Sequence, residues 1–131
     1  MFLDDIGDWL QSQGVATKGV DLFKSMDPGQ PDTAVILYEY AGISPIDTMG
    51  TTLATTLEQP SLHVLVRGVS YVEATSKAKA VFRALHKLTG SINGVRYLYL
   101  RALQSPFDVG PDERGRPRLV CNFRAIKELS V

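Results

Sequence analysis

Apolar residues recur at helical spacing from the start of the chain. Leu3, Ile6 and Leu10, widened by Phe2 and Trp9, predict an amphipathic helix over Phe2 to Gln13. Asp4, Asp5 and Asp8 fall in its first half, where the positive end of the helix dipole favours them, and Gly14 supplies a stop. A short strand is predicted around Val20 to Ser25, before MDPGQPD breaks the chain with two prolines and a glycine. Ala34 to Tyr40 runs continuously apolar and then alternates, the pattern of a well-buried strand.

Ala41 to Gln59 departs from this regularity. It holds five threonines, two glycines and one proline, and its only charges are Asp47 and Glu58. Structureless loops beyond roughly 12–15 residues are uncommon in compact domains and are usually functional or disordered. Leu53 and Leu57 leave room for a partial strand, which would make the stretch one arm of an extended hairpin.

Ser61 to Arg67 reads as the next strand, ended by Gly68. Ser70 and Glu73 then form a capping box at the start of the clearest helix, whose apolar face is Tyr71, Ala74, Ala78, Val81, Phe82, Leu85 and Leu88. Glu73 and Lys77 are spaced as a stabilising pair on the opposite side; the helix is expected to reach Thr89 and stop at Gly90. Val95 to Leu103 alternates as a strand, with Val95, Tyr97, Tyr99 and Leu103 on one face and Leu98, Leu100 and Ala102 on the other. Gln104 to Pro117 is a second long loop with three prolines and mixed charge. Arg118 to Ile126 is the last strand, with Leu119, Cys121, Phe123 and Ala125 sharing a face. The order α-β-β-β-α-β-β predicts one α+β domain over residues 1–131: two layers, with two helices on a mainly antiparallel or mixed sheet.

Composition narrows the chemistry. The 131 residues are 44% hydrophobic and 21% charged, ordinary for a globular chain. Fourteen basic and fourteen acidic side chains give a formal charge of +0, without the cationic surplus that phosphate binding exploits. A single cysteine, Cys121, rules out an intramolecular disulfide. Three early aspartates argue against a signal peptide, and no apolar run approaches the roughly 20 residues of a membrane span, so a reducing intracellular site of synthesis and no membrane partner are expected.

Catalytic patterns are missing as well. His63 and His86 lie far from each other and from Cys121, unlike zinc ligands, which cluster at characteristic spacings. Cys121 sits within an apolar strand face and reads as a small hydrophobe. No phosphate loop, nucleophile elbow or EF-hand occurs. Asp108, Asp112 and Glu113 resemble a cation site only until Arg114, Arg116 and Arg118 follow. The expectation is no enzyme, no cofactor and no metal. The mixed-charge loop reads either as a solvated segment or as one that docks a neighbouring subunit through charge pairs.

Two motifs carry a resemblance. A strand closes on V-R-G-x-x-Y-x-x-A at Val66 to Ala74, and P-x-D-V-G-x-D-E-x-G-R-P spans Pro106 to Pro117. With the segment order between them, residues 30 to 126 resemble the tail terminator and minor capsid proteins of long-tailed bacteriophages. That resemblance implies an α/β subunit without enzymatic activity, assembled in the host cytoplasm into a homo-oligomeric, hexameric ring. The ring would sit at the head-proximal end of the virion's tail, on the tail tube protein, and meet a head completion or connector protein, with DNA only as passing cargo. The residues expected at its interfaces are Asp47, Thr51, Thr52 and Leu53 in the first long segment, Arg67 at the end of the strand after it, and Asp108, Asp112, Glu113, Arg114 and Arg116 in the second. Arg67 and Arg101, at strand ends, are either solvated or turned to the lumen. Alternatives are another head–tail connector or tail-completion protein, a monomeric binding module or assembly chaperone, and a small enzyme of unrecognised type.

Overall fold

A computed structural model of the chain describes residues 2–47 and 56–128. Among them the chain runs α1 (Phe2–Ser12), β1 (Leu22–Lys24), β2 (Ala34–Asp47), β3 (Thr56–Arg67), α2 (Tyr71–Leu85), β4 (Leu88–Ile92), β5 (Val95–Ala102), β6 (Phe107–Asp108) and β7 (Arg118–Glu128). The strands form one seven-stranded sheet in the order β1-β2-β3-β7-β5-β4, with β6 added beside β7. Only the β1–β2 pair is parallel. The fold is the α+β, two-layer arrangement that the hydrophobic pattern predicts, with a mixed sheet.

Both helices pack on one face of that sheet. Ile6 and Leu10 of α1 and Ala74, Ala78, Val81 and Leu85 of α2 are buried against Val35, Leu37, Leu62, Val64, Leu119, Cys121, Phe123 and Ala125. Trp9 donates its indole N–H to the Ala84 carbonyl at 2.8 Å, locking the helices together. Ser70 caps α2 by accepting from the Glu73 amide at 3.2 Å. Gly68 lets the end of β3 come against α2, since a Cβ there would lie 2.8 Å from the Ala74 nitrogen.

Several local expectations give way to tertiary pairing. The helix ends at Leu85, not Thr89, because Leu88 enters β4 opposite Leu100 and Lys87 turns at φ 66°. Gly90 is therefore a strand residue. Tyr71 is 56% exposed, so the apolar face of α2 starts at Ala74. Glu73 and Lys77 do not pair: Glu73 accepts from the Thr33 hydroxyl, while Lys77 reaches the Val15 carbonyl and Asp21. In β5 the expected faces are wrong. Tyr97 pairs with Lys127 and Tyr99 with Ile126, so one extra residue is inserted and the alternation reverses. Tyr97 and Leu100, three apart, both face the core as a result.

Candidate assembly surfaces

The first long segment is largely strand. From Ala34↔Arg67 to Tyr40↔Ser61 the pairing of β2 and β3 is regular; it then shifts twice and continues through Ile43↔Gln59 and Ile46↔Leu57 to Asp47↔Thr56. β1 covers only residues 35–37 of β2, so the outer side of β2 beyond Tyr40 has no strand beside it among the described residues. The result is an extended β2–β3 arm at the edge of the sheet, with β3 still paired to β7 on its inner side as far as Leu57↔Glu128. Its strands come unusually close at Gly42, where any Cβ would sit 1.9 Å from the Gln59 carbonyl oxygen. Tyr40 and Ile43 are 42% and 50% exposed on it. Of the residues expected at interfaces, Asp47 is the last of β2, whereas Thr51, Thr52 and Leu53 lie outside the described residues.

A buried polar network fixes the base of the arm. Glu58 pairs at 2.6 Å with Lys127, whose side chain is nearly fully buried and lies over the Tyr97 ring. Tyr97 donates its hydroxyl to Asp5 at 2.9 Å, and Asn93 bridges Asp5 and Asp8. Burial first, then the hydrogen bond to Asp5, push the Tyr97 phenol well above its ordinary pKa. Sequence reading missed Lys127. The available signal was its period-2 spacing from Leu119, Cys121, Phe123 and Ala125, one step past the predicted strand end.

The charged loop spends much of its charge on itself. Asp112 accepts from the Arg114 and Arg116 amides at 3.0 and 2.8 Å and from the Arg116 guanidinium at 2.8 Å. Burial pushes its carboxyl up, but the Arg116 hydrogen bonds outweigh that and hold it below the usual range. Arg116 also donates to the Gly29 carbonyl and to Asp32, tying the loop to the 27–32 segment. Asp112 and Arg116 are thus brought together as an internal clasp. Glu113 and Arg114 are exposed, and Asp108 is exposed while accepting from the Gly110 amide.

Arg67 is corrected outright. It is 1% exposed, neither solvated nor turned to a lumen. Its guanidinium donates to Asp27 at 2.5 Å and to the Pro31 and Asp32 carbonyls at 2.8 and 3.2 Å. Asp27 feels burial first, which raises its pKa, but Arg67 and the Gly29 amide win and hold it below the ordinary carboxylate value. Arg101, by contrast, is exposed.

The remaining reactive groups have structural partners. His63 shares a 2.7 Å hydrogen bond with Asn122 and lies beside the Tyr38 and Tyr40 rings. His86 accepts from the Ala102 amide and stacks on Phe82 at 4.9 Å. Among the described residues no three His, Cys, Asp or Glu side chains gather as a metal site requires, and no helix is long and apolar enough to cross a membrane. Cys121 is buried, and burial pushes its thiol up to about 11. Its reaction with a disulfide reagent at pH 8 should therefore be negligible in the folded protein and complete within minutes in denaturant; rapid labelling of folded protein would show that the strand opens.

An α+β body with a long, partly uncovered edge strand and a clasped surface loop offers surfaces for assembly. The chain belongs to the bacteriophage tail terminator protein family, whose model matches residues 9–129. It is a structural protein of a phage-type tail. Its fold is similar to that of a chain in the virion of a native gene transfer agent particle, with a TM-score of 0.64 at 19% identity, covering 97% of this chain and 94% of that one. A second solved chain is similar at a TM-score of 0.50 and 14% identity, covering 99% and 92%. No curated protein sequence matches the chain.

Proposed function

We propose that this protein is the tail terminator itself: a hexameric ring that caps the head-proximal end of a tail tube, halts its growth and presents a surface for head joining. Family membership supplies the tail context, and the arm is the observation that carries the assembly role. An edge strand presents unpaired backbone N–H and C=O groups that another chain can pair with. Here the outer edge of β2 runs on past its short pairing with β1, has no strand beside it among the described residues, and exposes Tyr40 and Ile43. Such a segment is stabilised by covering its apolar side chains and unpaired backbone edge with another protein. The body supplies rigidity, the arm and the outward residues Asp108, Glu113 and Arg114 supply contacts, and DNA passes through without being gripped.

Light scattering and negative-stain microscopy of the purified protein, alone and with tail tubes added, test this reading. The expected result is ring-shaped particles with a mass several times 14.4 kDa, and tubes whose elongation stops on addition. A protein that remains monomeric at high concentration, and leaves tube growth unchanged, overturns it.

A further inference from the structure

Helix α2 carries apolar and cationic residues on the face turned away from the sheet. The core takes Ala74, Ala78, Val81 and Leu85, which turns Val72, Ser76, Lys79 and Arg83 outward along one ridge. All four are exposed, Val72 at 77%, and Val69 and Tyr71 at the start of the helix are exposed as well. Neither Lys79 nor Arg83 has an ion pair among the described residues. They stand four apart on the helix, a spacing at which like charges repel. Nothing close in sequence compensates them, since residues 74–107 hold six basic side chains and no acidic one. Such a ridge gains from an acidic and apolar surface laid against it.

The same chain has a surface of that character. Residues 1–73 hold ten acidic and three basic side chains, and part of this excess gathers where the arm meets the body. A groove of about 610 Å³ lies there, lined by Tyr40, Ile43, Pro45 and Pro60 and by Glu39 and Glu58. Lys127 lines it too, but Glu58 neutralises that charge. Glu39, exposed and without an ion pair among the described residues, is left as the groove's uncompensated charge. We propose that the arm-base groove of one copy receives the α2 ridge of the next. Lys79 and Arg83 meet Glu39, and Val72 covers the apolar surface of Ile43 and Pro45. Both elements are fixed before they meet, α2 by its Ser70 cap and the arm's base by the Glu58–Lys127 pair, so docking orders little. The contact joins two different surfaces, and heterologous contacts propagate from copy to copy until they close. This rests on the ring-forming reading and adds, to the contacts of the distal arm, one at its base.

Charge exchange tests it. A groove variant, Glu39→Lys, and a ridge variant, Lys79→Glu with Arg83→Glu, alter only exposed side chains, and each is checked for folding by circular dichroism. Each alone should lose at least tenfold of its assembled fraction in light scattering. An equimolar mixture should recover it, because the reversed groove then receives the reversed ridge and the native groove the native one. Rings that persist in both variants overturn this inference and leave the ring reading standing; a wild type that assembles neither alone nor on tail tubes removes both. Variants that stay monomeric when mixed also overturn it. If the ridge variant still forms rings but no longer stops tube growth, the α2 face meets the tube protein and not a second copy, which overturns it too.

Discussion

Replacing Arg67 with methionine should lower the unfolding midpoint by about 10 °C while leaving the secondary structure intact below it. The guanidinium is 1% exposed and holds one carboxylate and two backbone carbonyls, so its loss leaves Asp27, Pro31 and Asp32 facing an apolar side chain. Removing one member of a buried ion pair costs about 3 kcal/mol or more, and each kcal/mol moves the midpoint of a domain of this size by about 3–4 °C. The pH dependence separates the ionic part from the packing. Asp27 has a folded pKa below its unfolded value of 3.8, so its contribution is complete above that value and is lost as pH falls through the lower folded one. The wild type should therefore lose stability more steeply than Arg67→Met as the solution is acidified below pH 3.8. Calorimetry at several pH values measures both effects; a shift under 3 °C, or parallel pH profiles, would show that Arg67 does not anchor the 27–32 segment.

Arg67 also shows where sequence reading stops. At the end of an apolar strand it had the look of a solvated charge, and nothing nearby in sequence marks Asp27, 40 positions away, as its partner. The elements that were legible are those whose signal is local. Ile6 and Leu10 share a helical stripe, Ser70 caps α2, and Leu119 through Ala125 alternate, each readable within a few residues. What was not legible depends on pairing across the chain. The inserted residue in β5 is visible only against Lys127 and Ile126 of β7, and it turns Tyr97 and Leu100 to one face. β4 forms because Leu88 finds Leu100, which overrides the helical spacing it shares with Leu85. The two-residue β6 forms because β5 leaves β7 after Ala102 and Phe107 takes up pairing opposite Val120. The site divides in the same way. Composition marked both long segments as unusual, but only geometry separates Asp112 and Arg116, which clasp their own loop, from Glu113 and Arg114, which face outward.

Shortening the arm should abolish assembly without unfolding the subunit. Ile46 and Leu57 lie opposite each other in register, so an Asn-Gly linker in place of residues 47–56 can join them as a two-residue hairpin turn. The cut leaves Glu58 on Lys127 and Gly42 against Gln59, so the buried network at the arm's base is untouched. The shorter connection also changes the closure entropy little, since that entropy varies by only about 0.6 kcal/mol per doubling of length. The unfolding midpoint should accordingly stay within about 3 °C of wild type, near the shift expected for 1 kcal/mol. Assembly should respond very differently. The removed stretch includes Asp47, Thr51, Thr52 and Leu53, and docking energy is concentrated in a few buried residues, so losing the distal arm should reduce the assembled fraction at least tenfold. Tube-length measurements carry the same contrast to function: tubes should grow past their normal stop when only the shortened protein is supplied. Full assembly by the shortened chain would place the contacts on the body, for example in the outward part of the 104–117 loop. A large loss of thermal stability would instead mean that the distal arm supports its own subunit.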